Sequence, residues 1–130
     1  MTSTDTADAA TAQSQCWLGI DLGGSNIYSA AFDASGEVLL EDKIDTEARS
    51  GYDHVIRRIA GQIQRMRSQL ERDGHTLAAV GLCVPGVVQA TRPPNFAEAT
   101  GFPGGRVEIA PNLNWRNVYP LRDLGPLLGD

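Results

Sequence analysis

The 130-residue sequence has little cysteine, few aromatic residues and no long apolar run. Its two cysteines, Cys16 and Cys83, form no Cys-x-x-Cys pair, and His54 and His75 have no ligand spacing around them, so the sequence predicts no zinc site. Both cysteines lie in apolar, strand-like segments, which predicts buried and unreactive thiols. No segment approaches the roughly 18 apolar residues that a membrane-spanning helix requires, so we expect no membrane partner.

Residues 1–42 contain no lysine or arginine, and Lys43 is the first basic residue of the chain. This argues against a signal or transit peptide and predicts a cytoplasmic protein. The formal net charge of −5 argues against nucleic acid as a partner. Arg58, Arg65 and Arg72 recur every seven residues without interleaved aromatic side chains, which predicts a solvated helix face and not a nucleic-acid surface.

The amino-terminal half of the chain predicts a short tail followed by three strands. Residues 1–14 are nearly all small or polar, which is typical of a disordered tail. Residues 15–130 are expected to form one domain. A tight turn is predicted at Ala34-Ser35-Gly36. The strands are predicted at about residues 16–22, 27–33 and 37–44.

The remaining sequence predicts a long helix, a buried strand and a long loop. Apolar residues at a 3.6-residue period predict the helix over 52–72. The apolar segment 77–84 predicts a strand buried on both faces. Residues 89–105, rich in proline and glycine, predict a long loop, which is typically functional or mobile. A short strand at 106–109 and a leucine-rich helix at 120–128 complete an α/β chain that begins like a ribonuclease-H-like fold.

Residues 19–26, Gly-Ile-Asp-Leu-Gly-Gly-Ser-Asn, are the most informative segment. A strand that ends in Asp21 and turns through Gly23 and Gly24 can hold a phosphate, because glycine lets the backbone approach a ligand and successive N–H groups can converge on its oxygens. Asp21 could hold Mg²⁺ through the water shell of the ion, and Ser25 adds a hydroxyl. Neither the Rossmann nor the P-loop pattern is present. Taken alone, the segment also fits an ordinary hairpin turn.

Three segments stand in this order along the chain: Gly19–Asn26, Val80–Val88, and Ala110–Trp115 followed by Pro-Leu-Arg-Asp-Leu. Together they resemble the ROK family (repressor, open reading frame, kinase), especially its glucokinase-like members, over residues 16 to about 130. The resemblance implies a ribonuclease-H-like fold of the actin, Hsp70 and sugar kinase superfamily. It also implies transfer of the γ-phosphate of ATP-Mg²⁺ to a hydroxyl of a hexose or N-acetylhexosamine.

The resemblance assigns expected roles to individual residues. Gly86 matches a backbone position that lies against the sugar, and Asn112 matches the sugar-side segment. Asn95 in Pro94-Asn95-Phe96 is a rival for that second role. The phosphate-loop matches are Asp21, Gly23, Gly24, Ser25 and Asn26.

The sequence also departs from the family pattern. The family's catalytic aspartate lies in a Glu-Asn-Asp-Ala-Asn-like segment beyond the leucine-rich helix, and this sequence has no such segment before Asp130. The family's zinc-binding histidine and cysteine cluster and the second lobe are missing as well. We therefore expect the amino-terminal lobe of a sugar kinase, inactive alone, with no catalytic residue, and with Asp123 as a solvated helix residue.

Two alternatives stay open on the sequence. One is a ROK-type sugar-responsive transcriptional regulator without its DNA-binding domain, and the other is a non-catalytic binding fragment of the same fold. In each case the leucines of 120–128 have little to pack on, which predicts self-association or a homo-oligomer.

Overall fold

The computed structural model describes residues 14–89 and 105–129. Its larger sheet has four strands in the spatial order β3-β2-β1-β4. The pairs β1–β2 and β2–β3 are antiparallel, whereas β4 runs parallel to β1. The strands are β1 (Ser14–Leu22), β2 (Asn26–Asp33), β3 (Val38–Asp45) and β4 (His75–Cys83).

Helix α1 (Tyr52–Arg72) joins β3 to β4 and covers one face of this sheet. It has the bounds that its apolar periodicity predicts, and it ends before Gly74, whose φ of 90° suits the residue that terminates a helix. The buried apolar side chains of α1 pack on those of β1 and β2 to form the core. The helix contributes Val55, Ile56, Ile59, Ala60, Ile63, Met66 and Leu70, and the strands contribute Cys16, Leu18, Ile20, Leu22, Ile27 and Ala31.

A second, antiparallel sheet has three strands in the order β5-β6-β7. Helix α2 (Pro120–Leu128) follows it and packs on α1. The helix and the short strand near 106–109 were predicted from the sequence, whereas β5 and β7 were not. The strands are β5 (Val87–Gln89), β6 (Arg106–Ala110) and β7 (Trp115–Val118).

The prediction that the strand near 77–84 is buried on both faces is wrong. Strand β4 alternates between partly buried and exposed residues, because no described element covers the sheet face opposite α1. The prediction for Cys83 is wrong for the same reason, since its thiol is exposed. Cys16 is fully buried beneath α1, as predicted, and burial raises the pKa of its thiol.

The predicted solvated face of α1 is seen at Arg65 and Arg72, which are exposed, whereas Arg58 is partly buried. The guanidinium of Arg58 donates to the main-chain oxygen of Asp45 at 2.8 Å and lies 3.5 Å from the carboxylate of Glu47. Arg65 lies 3.7 Å from Asp42 but remains well exposed. These contacts bind the helix to the end of β3. None of the described helices is long and apolar enough to cross a membrane.

Asp123 is not the solvated helix residue that the sequence predicts. Its carboxylate accepts a hydrogen bond of 2.6 Å from the hydroxyl of Tyr52 and one of 3.0 Å from Arg122, so it joins α2 to α1. Partial burial works to raise the pKa of Asp123, but the two hydrogen bonds outweigh it and hold the pKa below its usual range. Burial, followed by the bond to Asp123, raises the pKa of the Tyr52 phenol.

Helix α2 buries part of its leucine face. Leu124 lies in the core and Leu128 packs against it, whereas Leu121 and Leu127 are exposed. Self-association through exposed apolar side chains therefore stays a prediction. Residues 1–13 of the predicted tail and nearly all of the predicted 89–105 loop lie outside the described residues, whereas Ser14, the last residue of the predicted tail, begins β1.

The Tyr52–Asp123 bond generates a prediction about stability and pH. Replacing Tyr52→Phe should lower the free energy of unfolding by about 1 kcal/mol at pH 7, because one partly buried hydrogen bond is lost. The folded-state pKa of Asp123 is lowered, so the stabilisation is present at neutral pH and is lost as the pH falls below about 4. Urea denaturation of both proteins between pH 7 and pH 3 should show the difference shrinking.

The control is Tyr28→Phe, which removes an exposed hydroxyl bonded to Glu41 on the open sheet face. It should change stability by less than Tyr52→Phe, because solvent competes for an exposed bond. Equal losses from both variants would contradict a special role for the contact between the helices.

Candidate functional site

The Gly-Gly-Ser turn connects β1 to β2. The main-chain N–H of Gly23 donates to the carbonyl oxygen of Asn26 at 2.9 Å and closes the turn. A side chain at Gly23 would lie 3.0 Å from that oxygen, which explains the glycine. Because its own N–H is used inside the turn, the amides that follow Gly23 are the ones left for a phosphate.

Thr46, which follows β3, holds this turn from the other side. Its hydroxyl donates to the carbonyl oxygen of Gly23 at 2.7 Å, and its main-chain N–H donates to the carbonyl oxygen of Ser25 at 2.8 Å. The residue is completely buried. Sequence reasoning did not identify Thr46, because a threonine after a strand carries no signal until its partner 23 residues earlier is known.

The segment that carries Asn112 lies directly against the turn. A Cβ added to Gly24 would come within 3.0 Å of the Cβ and 3.3 Å of the main-chain oxygen of Asn112. Asn112 is exposed on a short 3-10 helix, Pro111–Leu113, which Leu113 anchors in the core. These two segments, which lie far apart in the sequence, are therefore in van der Waals contact.

Gly86, in the third segment selected from the sequence, packs against the end of β6. A Cβ added there would overlap the carbonyl oxygen of Ile109 and lie 2.9 Å from the Cα of Ala110. The glycine thus lets the chain after β4 pass against the end of β6, immediately before Asn112. Close packing of two backbones accounts for this glycine, and contact with a sugar stays a prediction.

A cleft of about 450 Å³ opens beside Asn112. The ring of Tyr52 forms part of its wall and packs edge-to-face on Trp115, with ring centroids 4.8 Å apart. Arg49 contributes a positive charge. The lining residues are Ala48, Arg49, Gly51, Tyr52, Pro111, Asn112, Leu113 and Asn114.

Glu47 fixes the segment on the far side of this cleft. It has a φ of 57°, an unfavourable conformation for a residue with a side chain, and precedes the short helix Ala48–Ser50. The ring of His54 lies 2.7 Å from its carboxylate, and Arg58 lies 3.5 Å away. The hydrogen bond from His54, with the charge of Arg58, holds the pKa of Glu47 below its usual value. Two side chains of α1 thus hold the carboxylate of this residue.

Asp21 lies at the end of β1 and lines a different cleft, of about 550 Å³, on the sheet face opposite α1. Its side chain is exposed, and no cation pairs with it within residues 14–89 and 105–129. Mg²⁺ usually keeps several waters and takes one or two carboxylates together with phosphate oxygens, so a single exposed carboxylate fits a water-mediated ion. The same part of the chain groups no three histidine, cysteine or acidic side chains that could hold a metal alone.

The remaining candidate residues lie either at the tip of the turn or outside the described part of the chain. Ser25 and Asn26 are exposed at the tip of the turn. Asn95, the rival to Asn112, and Asp130 lie outside the described residues. The turn, Gly86 and Asn112 thus form one contiguous group at the ends of β1 and β4, with Asp21 on its other side.

Comparison with known proteins gives consistent matches. The model of the ROK family matches residues 17–124. A xylose repressor of Caldicellulosiruptor bescii is 26% identical over 107 residues, which are 82% of this chain and 24% of the repressor. A glucokinase of Halalkalibacterium halodurans is 27% identical over 107 residues, which are 82% of this chain and 28% of the enzyme. The chain spans about a quarter of the length of these relatives.

The fold matches a solved structure as well. A ROK family glucokinase from Streptomyces griseus, in complex with glucose and AMPPNP, superposes with a TM-score of 0.65 at 23% identity. The match covers 88% of this chain and 30% of that one. The mixed α/β fold expected from the sequence is confirmed.

The close approach at Gly86 generates a prediction. Gly86→Ala should lower the free energy of unfolding by about 1–3 kcal/mol, because backbone atoms of β6 must move to admit the methyl group. Gly81→Ala is the control, since a Cβ there meets nothing within 4 Å. Chemical denaturation measures both. A Gly86→Ala protein as stable as Gly81→Ala would contradict the packing described here.

Proposed function

The chain belongs to the ROK family, and from that membership we propose that it carries the phosphate turn and the sugar-side segment of an ATP-dependent kinase for a hexose or an N-acetylhexosamine. The observation that carries the proposal is the contact between Gly24 and Asn112. Phosphoryl transfer requires the nucleotide phosphate and the accepting hydroxyl to be held side by side. A phosphate on the turn and a sugar at Asn112 would meet this requirement.

Each residue has a distinct role in this proposal. The main-chain amides after Gly23 bind phosphate oxygens, with Ser25 and Asn26 at the exposed tip. Asp21 holds the hydrated Mg²⁺ that accompanies the nucleotide. The amide of Asn112 hydrogen-bonds sugar hydroxyls in the cleft beside Tyr52, and Gly86 supports that segment. In a kinase of this kind, Mg²⁺ supplies charge neutralisation on the phosphates.

No described residue is assigned as the general base. Asp123, whose partner Tyr52 lies in the wall of the cleft, is engaged by Tyr52 and Arg122 and has a lowered pKa. A carboxylate held in this way is a poor acceptor for the proton of a sugar hydroxyl. The activity is accordingly proposed for the whole protein, with these residues supplying binding and orientation.

Two relatives support the kinase proposal and one supports an alternative. Glucokinases similar to this chain include one solved with glucose and AMPPNP. The similarity to a xylose repressor is of the same size, so a sugar-responsive regulator is the second candidate. Both candidates use a sugar site, but only the kinase consumes ATP in the presence of its sugar. We further propose that the protein, acting as a kinase, works in the cytoplasm and does not bind nucleic acid.

The first test is sugar-dependent release of ADP by the full-length protein, assayed with glucose, mannose and N-acetylmannosamine. The kinase proposal predicts release that depends on one of these sugars and on Mg²⁺. Asp21→Asn should lower kcat roughly 10–100-fold, the usual effect of losing a group that holds a metal through its water. Asp45→Asn is the control, because it removes an exposed carboxylate beside the turn, opposite Asn26. Sugar binding without ADP release would favour the regulator.

The second test addresses the sugar-side segment. Asn112→Ala should raise the KM for the sugar, with a smaller effect on kcat, because the amide binds the sugar before and during the reaction alike. Asn114→Gly is the matched control, since it removes a second amide from the same cleft and glycine tolerates the φ of 57° found there. An unchanged KM in Asn112→Ala would contradict the assignment and would favour Asn95.

A further inference from the structure

Thr46 makes two hydrogen bonds of different kinds to the Gly-Gly-Ser turn. Its N–H bonds the carbonyl oxygen of Ser25 at 2.8 Å, as any residue other than proline would. Its hydroxyl bonds the carbonyl oxygen of Gly23 at 2.7 Å, which needs this side chain. The side chain is fully buried, so water does not compete for the bond.

The hydroxyl fixes the direction of the peptide that links Gly23 to Gly24. In a trans peptide the C=O and the following N–H point in opposite directions. With the oxygen of Gly23 held by Thr46, the N–H of Gly24 must point away from Thr46. The same geometry at Ser25 directs the N–H of Asn26 away from Thr46 as well.

A peptide between two glycines needs such a constraint. Glycine occupies positive and negative φ about equally well, so this peptide can rotate and exchange its N–H for its C=O at little cost. A carbonyl oxygen aimed at a phosphate would repel it, whereas an N–H attracts it. The orientation of this peptide therefore decides whether the turn binds or rejects an anion.

We propose that Thr46 is the positioning residue of the phosphate turn, and that its hydroxyl locks the Gly23–Gly24 peptide with the N–H directed toward the phosphate oxygens of the nucleotide. This rests on the proposed function, in which the turn holds phosphate. Thr46 acts through the turn and does not itself contact the ligand.

A variant at Ser29 distinguishes a positioning role of Thr46 from a general loss of stability. Ser29 is the other fully buried hydroxyl among the described residues, and it donates to the side-chain oxygen of Gln62 at 2.8 Å between β2 and α1. Ser29→Ala therefore removes a buried hydrogen bond of similar length without touching the turn. Thr46→Ser keeps the hydroxyl, and Thr46→Val keeps the shape and removes it.

The experiment titrates the 130-residue chain and its variants with Mg²⁺·AMPPNP and with tripolyphosphate by calorimetry, alongside chemical denaturation. Thr46→Val should bind both roughly tenfold more weakly, the effect of losing one hydrogen bond. Thr46→Ser should bind within about twofold of the unmodified chain. Ser29→Ala should lose stability and keep its affinity. In amide NMR spectra of the unmodified chain, tripolyphosphate should shift the signal of Gly24.

The outcomes distinguish this proposal from the proposed function. If the unmodified chain binds and Thr46→Val binds equally well, Thr46 is not a positioning residue and the phosphate turn stands. If Ser29→Ala loses as much affinity as Thr46→Val, the effect is general stability and the positioning role is overturned. If the unmodified chain binds neither ligand, or the Gly24 amide does not shift, both assignments of this turn fail. The Gly24 shift, measured on the unmodified chain, tests whether that N–H meets the phosphate even if Thr46→Val does not fold, and weakened binding by a folded Thr46→Ser chain would then overturn the positioning role.

Discussion

The parallel pairing of β4 with β1 is the constraint on which the candidate site depends. Because the two strands run in the same direction, Asp21 at the end of β1 stands beside Cys83 at the end of β4. The glycine turn and the segment that contains Gly86 therefore leave the sheet at the same edge. Ligands of open α/β sheets bind at this edge, the carboxyl ends of parallel strands.

Helix α1 connects β3 to β4, which makes that parallel pairing possible, and it also contributes side chains to the candidate site. Its buried face covers β1 and β2, and Gln62 in the middle of that face bonds Ser29 at 2.8 Å and the main-chain oxygen of Ile27 at 3.2 Å. Burying an amide is costly unless it is hydrogen-bonded, so these contacts also fix how the helix sits on the sheet. The first turn of α1 supplies Tyr52 to the wall of the cleft and His54 to hold Glu47.

The site is built mainly from backbone, which explains the pattern of its glycines. Gly24 and Gly86 are needed because another segment of chain lies where a side chain would be. Such close approach places main-chain N–H groups within reach of a ligand and of a neighbouring segment at once. A fold of this kind can keep its site while most side chains around it change, which fits the identities of 26–27% to the repressor and the glucokinase.

The sequence by itself determined the local structure: the helix over 52–72, the turn at 34–36 and the glycine turn after β1 each depend on residues close together in the chain. It also determined which segments belong to the site, through their resemblance to a family. Only the tertiary structure decided that Asp123 meets Tyr52, 71 residues away, and that Thr46 meets Gly23. It also decided that one face of β4 is open. Burial and partners of this kind depend on which distant elements pack together, and no local pattern of residues encodes that packing.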